Sequence, residues 1–134
     1  MTRRILTALP LCLLPFAAPA QEGTLNWTCL LSILCPDTGA CRDWDQVITI
    51  VEGEEDWQVN WNADLPNAYE LIADLPPAED ALEPVHVRSL LYRNERAQST
   101  QMVTFDSTGR VVVTGHQPQA ATRTVTGIGT CEAS

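Results

Sequence analysis

The chain of 134 residues carries seventeen acidic residues against eight arginines and no lysine, a formal net charge of −9, so it lacks the basic patches that nucleic acids and anionic membranes require. That length sets a single domain. A domain of this size buries only about two thirds of its unfolded surface, so covalent cross-links would add useful stability.

The first element in chain order has the three-part layout of a secretory signal peptide. Arg3 and Arg4 supply the positive start, residues 5–16 form an apolar run interrupted by Pro10 and Pro15, and Ala17-Ala18-Pro19-Ala20 ends in the small-x-small pattern that signal peptidase cuts. The run falls short of the roughly 20 apolar residues a membrane span needs. Cys12 lies inside the apolar run behind Leu9-Pro10-Leu11, bulky or rigid residues where a lipid-attachment site needs small ones, so lipidation is not expected. Thr2-Arg3-Arg4 leaves twin-arginine export as a minor route. Cleavage is expected near Ala20, making residues 1–20 the signal and residues 21–134 a single acidic β domain. The signal holds two of the eight arginines and none of the seventeen acids, so the mature 114 residues carry a net charge of −11. Its Ala, Leu and Pro content reads as bacterial, which places the expected product in the periplasm or outside the cell. No later stretch approaches spanning length.

The mature region reads as strands and turns. Residues 24–34 are apolar and end at Cys35-Pro36, a first strand. Residues 44–51 are rich in β-branched side chains and suit a pleated surface. Glu52-Gly53-Glu54-Glu55 is a polar turn. Trp57, Val59 and Trp61 then alternate with Gln58, Asn60 and Asn62, a period of two that puts three large apolar groups on one face. Residues 68–73 fit a strand or a short helix. Residues 74–84 hold three prolines and four acids, Asp74, Glu79, Asp80 and Glu83, and read as a loop with at most one helical turn at 79–82. Residues 85–92 resume strand character, and Asn94-Glu95-Arg96 is a turn. Residues 100–105 and 110–114 flank Asp106-Ser107-Thr108-Gly109, where Asp opens a turn and Gly supplies the positive φ that closes it. Residues 123–130 form a last strand into Cys131, followed by a short tail expected to be mobile. Seven or eight short strands with frequent turns define an all-β fold, a small antiparallel barrel or sandwich.

Cys29, Cys35, Cys41 and Cys131 remain in the mature chain. An even number in a short exported domain reads as two disulfides, with three possible connectivities. The turn formers Pro36, Asp37 and Gly39 allow Cys35 and Cys41 to meet, which would leave Cys29 with Cys131 and tie the first strand to the last. The spacings do not match the close Cys pairs of structural zinc sites, and no C-x-x-C redox pair occurs.

No catalytic motif stands out. His86 lies in a strand pattern and His116 at a strand end, without the spacing of a metal pair, and no G-x-S-x-G elbow supports a hydrolase. Asp37, Asp43 and Asp45 cluster near the small loop but lack calcium-loop spacing. Trp27, Trp44, Trp57 and Trp61 fill a compact core or, alternatively, line a ligand cavity of the kind small barrels hold. Asn26-Trp27-Thr28 is a glycosylation sequon, meaningful only in a eukaryotic secretory pathway.

Trp27-Thr28-Cys29 near the mature start and Gly129-Thr130-Cys131 at the end resemble, in outline, the small exported bacterial β-barrels that include periplasmic lysozyme inhibitors. The resemblance implies a small exported β-barrel, and the chain looks closer to the small uncharacterised periplasmic proteins of proteobacteria than to the inhibitors themselves. The inhibitors' Ser-Gly-x-x-Tyr loop has no counterpart here, since Ser107-Thr108-Gly109 runs into Arg110 and valines, so no inhibitory residue carries over. The expected function is a non-enzymatic, monomeric binding or inhibitory module that needs no cofactor or metal. Its acidic segment, Asp74, Glu79, Asp80 and Glu83, would meet a cationic protein. A small-molecule carrier with a Trp-lined cavity is the alternative, and a hydrolytic enzyme a minor one.

Overall fold

A computed structural model describes residues 24–118 and 123–134. The signal segment, its cleavage site and Cys12 lie outside the described residues. Eight antiparallel strands follow one another around a closed barrel: β1 (Asn26–Pro36), β2 (Arg42–Glu52), β3 (Trp57–Trp61), β4 (Asn67–Leu75), β5 (Val87–Asn94), β6 (Ser99–Asp106), β7 (Arg110–His116) and β8 (Thr124–Ala133). Each strand pairs with its chain neighbour, and β8 returns to pair with β1, so no sheet edge is left open. Of the two all-β architectures the sequence allows, the barrel is the one formed.

An eight-stranded barrel is just wide enough for side chains to fill it. Alternation along each strand sends Cys29 and Leu31, Ile48 and Ile50, Trp57 and Val59, Val103 and Phe105, and Val111 and Val113 into one buried cluster with Tyr69, Leu90 and Cys131. Trp57 belongs to that cluster, and Trp27, Trp44 and Trp61 pack against it. Trp27 and Trp57 each set their rings 5.7 Å from Phe105. Trp44 lies across Gly127, where an added Cβ would stand 2.6 Å from the indole. The tryptophans are thus core material, and the glycine is the vacancy one of them fills.

Two disulfides complete the frame. Cys29–Cys131 joins β1 to β8 at directly paired positions, and Cys35–Cys41 closes the turn between β1 and β2. The Asp106–Gly109 turn forms as its residues dictate. Gly109 takes φ +85° and donates its N–H to the Asp106 carbonyl at 3.0 Å. The Asp106 carboxylate accepts from the Thr108 N–H, the Thr108 hydroxyl and the Arg110 N–H.

Three expectations shift. The segment 68–73 is strand, extended to Asn67–Leu75, so Asp74 belongs to β4 and not to the loop that follows. The strand expected at 85–92 runs instead from Val87 to Asn94, because residues 84–86 complete the loop. The tail after Cys131 is not free: Glu132 and Ala133 pair with Thr28 and Trp27, and the Ser134 N–H reaches the Asn26 carbonyl at 2.9 Å.

Candidate functional site

The up-and-down order sorts the connections between two barrel ends. The β1–β2, β3–β4, β5–β6 and β7–β8 connections form one end, here the upper. The β2–β3, β4–β5 and β6–β7 connections form the lower, together with the start of β1 and the close of β8.

The lower end gathers the acids. Glu54, Glu55 and Asp56 come from the β2–β3 turn, and Glu79, Asp80 and Glu83 from the β4–β5 loop. Glu52, Asp74, Asp106 and Glu132 stand at or near strand ends on the same side. Against these ten carboxylates stand two arginines, each already engaged. Arg88 lies 3.3 Å from Asp74, and Arg110 lies 3.4 Å from Asp106. The described part of the upper end is nearly balanced, with Asp37, Asp43, Asp45, Asp64, Glu70 and Glu95 facing Arg42, Arg93, Arg96 and Arg123. The net charge of the described barrel is therefore almost all on one end.

Of the four acids singled out by sequence, Glu79, Asp80 and Glu83 share the exposed loop at residues 76–86, and none forms an ion pair. Asp74 is apart from them, bonded to the His86 ring and to Arg88. Arg88 in turn lies 5.9 Å from the centre of the Trp57 ring. Leu82, at the middle of the loop, is fully exposed, and Leu75, at the end of β4, is 59 % exposed.

The histidines do not assemble a catalytic triad. The His86 ring bonds Asp74 through Nε2, and its Nδ1 lies 3.4 Å from the Arg88 guanidinium. Ser107 Oγ accepts the His86 backbone N–H at 2.9 Å, while the two ring nitrogens of His86 are engaged with Asp74 and Arg88 and make no bond to that hydroxyl. His116 is 30 residues on, at the upper end, with Nε2 3.2 Å from the Thr124 hydroxyl. Among the described residues no three His, Cys, Asp or Glu side chains converge as a metal site, and Asp37 instead accepts the Arg123 backbone N–H at 3.3 Å.

The sequence did not signal the second constellation, inside the upper mouth. Register aligns Tyr92, Gln101, Gly115 and Val125 as lateral neighbours across β5–β8, on one inward row. They line a cleft of about 220 Å³, rimmed by His116 and Arg123. None of the tryptophans lines it. Beneath it runs a hydrogen-bonded chain: the Trp61 indole N–H donates to the Tyr69 hydroxyl at 3.4 Å, and that hydroxyl donates to the Gln101 side-chain carbonyl. Tyr69 stacks on Tyr92 with centroids 5.3 Å apart. Burial pushes the Tyr69 hydroxyl up to about 12, outweighing the Trp61 hydrogen bond that lowers it, with Tyr92 adding a smaller rise. The hydroxyl therefore keeps its proton and stays a donor at any ordinary pH.

No protein-family model, curated protein or solved structure matches the chain. Among the described residues no helix is long and apolar enough to cross a membrane. The site geometry and the all-β, doubly cross-linked barrel therefore carry the functional reading.

Proposed function

We propose that this protein is an exported, periplasmic, non-enzymatic module that docks a cationic protein on the acidic lower end of the barrel, as a binder or inhibitor. The carrying observation is the segregation of charge: among the described residues ten carboxylates crowd one end, and the two arginines there are already paired. Such a field steers a basic partner and orients it before contact. Leu82 supports a protein partner over a free ion. A wholly exposed leucine among Glu79, Asp80 and Glu83 offers an apolar centre inside a charged rim, the usual anatomy of a protein interface. The signal layout at residues 1–20 and the two disulfides support export, since such bridges persist in oxidising compartments.

The test replaces Glu79, Asp80 and Glu83 together by Gln, Asn and Gln, with a small basic protein such as lysozyme as the first probe because the acidic end calls for a cationic partner. Exposed pairs contribute roughly 0.2–1 kcal/mol each, so three should weaken capture about tenfold and flatten its salt dependence. Unchanged capture and unchanged salt dependence would sink the proposal.

A further inference from the structure

The upper mouth holds a cleft at the end opposite the acidic one. Its polarity can be read atom by atom. The Tyr69 hydroxyl receives the Trp61 N–H and must place its own proton on an acceptor; the Gln101 carbonyl oxygen is that acceptor. The same bond fixes the Gln101 amide, so its Nε2 group points away from Tyr69 with two N–H bonds to give. Arg123, at the rim, donates only, and its guanidinium has no carboxylate partner among the described residues. The two groups of fixed polarity are thus both donors. Ser99, Thr100 and Gln117, also at the cleft, can donate or accept and adapt to what those two select.

The apolar half is equally defined. Tyr92 and Val125 wall the cleft, and Gly115 between them leaves space where an added Cβ would approach only the Val125 Cγ2, at 3.1 Å. Its counterpart Gly127 differs, because Trp44 already fills the room above it. An apolar cavity of about 150 Å³ suffices for benzene, so a cleft of about 220 Å³ has room for one ring and a polar head.

We propose that this cleft binds a small monocarboxylate with a flat apolar body of one ring, its carboxylate held by Arg123 and the Gln101 amide and its body lying over Gly115 between Tyr92 and Val125. An Arg guanidinium and a preoriented amide give a carboxylate charge-assisted bonds that a neutral isostere cannot match.

Benzoate and its neutral isostere benzamide are the probes, titrated into the disulfide-intact protein and followed by backbone amide shifts. Benzoate should perturb Gly115, Val125 and Tyr92 at millimolar or lower concentration, and benzamide should bind at least tenfold more weakly. Arg123→Gln should erase that preference, and Gly115→Val should block both probes while the shift pattern of the rest of the barrel is kept. If Gly115→Val does not fold, the surface change Arg123→Gln still decides. Equal affinity for the two probes, a benzoate preference that survives Arg123→Gln, or perturbations away from the β5–β8 mouth would each overturn the proposal.

Discussion

The two disulfides close loops of very different length, and that difference predicts very different costs of removal. Cys29 and Cys131 are 102 residues apart, Cys35 and Cys41 only 6. In the chain-entropy model the first bridge removes about 4.7 kcal/mol of unfolded-state freedom and the second about 2.4 kcal/mol. Packing widens the gap. Cys29 is wholly buried and Cys131 7 % exposed, inside the cluster of Leu31, Ile50 and Val111, so truncation to Ala also leaves an unfilled volume worth roughly 1 kcal/mol or more. Cys41 is exposed and loses little on truncation. A domain of this length is stable by about 5–15 kcal/mol, so Cys29→Ala with Cys131→Ala should leave it marginal, while Cys35→Ala with Cys41→Ala should leave it folded. Urea unfolding followed by tryptophan fluorescence reads this directly. The small-loop variant should lose about 2 kcal/mol. The seam variant should lose more than twice that, and its m value should rise, because the unfolded chain expands once the long loop is opened. Equal losses, or a larger loss for the small loop, would show that neither loop length nor burial sets the cost of losing a bridge.

Tyr69 predicts an alkaline weakness. Its hydroxyl is held above the ordinary value of 10, so its contribution is fully present below pH 10 and is lost as pH rises toward about 12. A rise of that size corresponds to about 3 kcal/mol, and urea midpoints at pH 8 and pH 11 should fall in the native protein but much less in Tyr69→Phe. Asp106 predicts the opposite sign. Burial works to raise it, but hydrogen bonds from Thr108 and Arg110, with the Arg110 charge, together hold it below the ordinary carboxylate value. Its contribution is present at neutral pH and lost as pH falls through that lowered value, so Asp106→Asn should cost about 1 kcal/mol at pH 7 and less at pH 2. Gly127→Ala should cost about 1–3 kcal/mol by forcing Trp44 aside, visible as a red shift in tryptophan emission, whereas an unshifted, equally stable variant would show the ring to be mobile.

Strand content was legible because the local signals were strong. The Trp57-Val59-Trp61 alternation reports one buried face, and Asp106 to Gly109 reports its turn through an Asx acceptor and a glycine at positive φ. The disulfide pairing followed from the turn formers between Cys35 and Cys41, which left the barrel seam to Cys29 and Cys131. Asp74 was misplaced because a carboxylate next to Leu75-Pro76-Pro77 looks like loop. What holds it in β4 is long-range, its pairing with Arg88 and the His86 ring. The tail after Cys131 was misread for the same reason, since its partners lie a hundred residues back on β1. The upper cleft was invisible because no two of its four inward residues are near in sequence. Only the β5–β8 register puts Tyr92, Gln101, Gly115 and Val125 in one row.

An anion site on a chain of net charge −9 needs a reason, and the barrel's length provides one. Between the two ends run strands such as β5 and β7, eight and seven residues long. At about 3.3 Å per residue and a tilt near 40° these separate the ends by roughly 20 Å. The Debye length at physiological salt is about 8 Å, so the acidic lower end is largely screened at the upper cleft, whose own end is far less acidic, with six described carboxylates against four arginines. At about 0.01 M salt the Debye length rises to about 30 Å and the screening is gone. The two ends should then feel each other. Neutralising Glu79, Asp80 and Glu83 should leave benzoate affinity unchanged at 0.15 M salt and strengthen it at 0.01 M, with the Gly115 amide as the reporter. Strengthening of the same size at both salt concentrations would mean that the loop reaches the cleft by contact or by a shift of the barrel, and the independence of the two ends would fail.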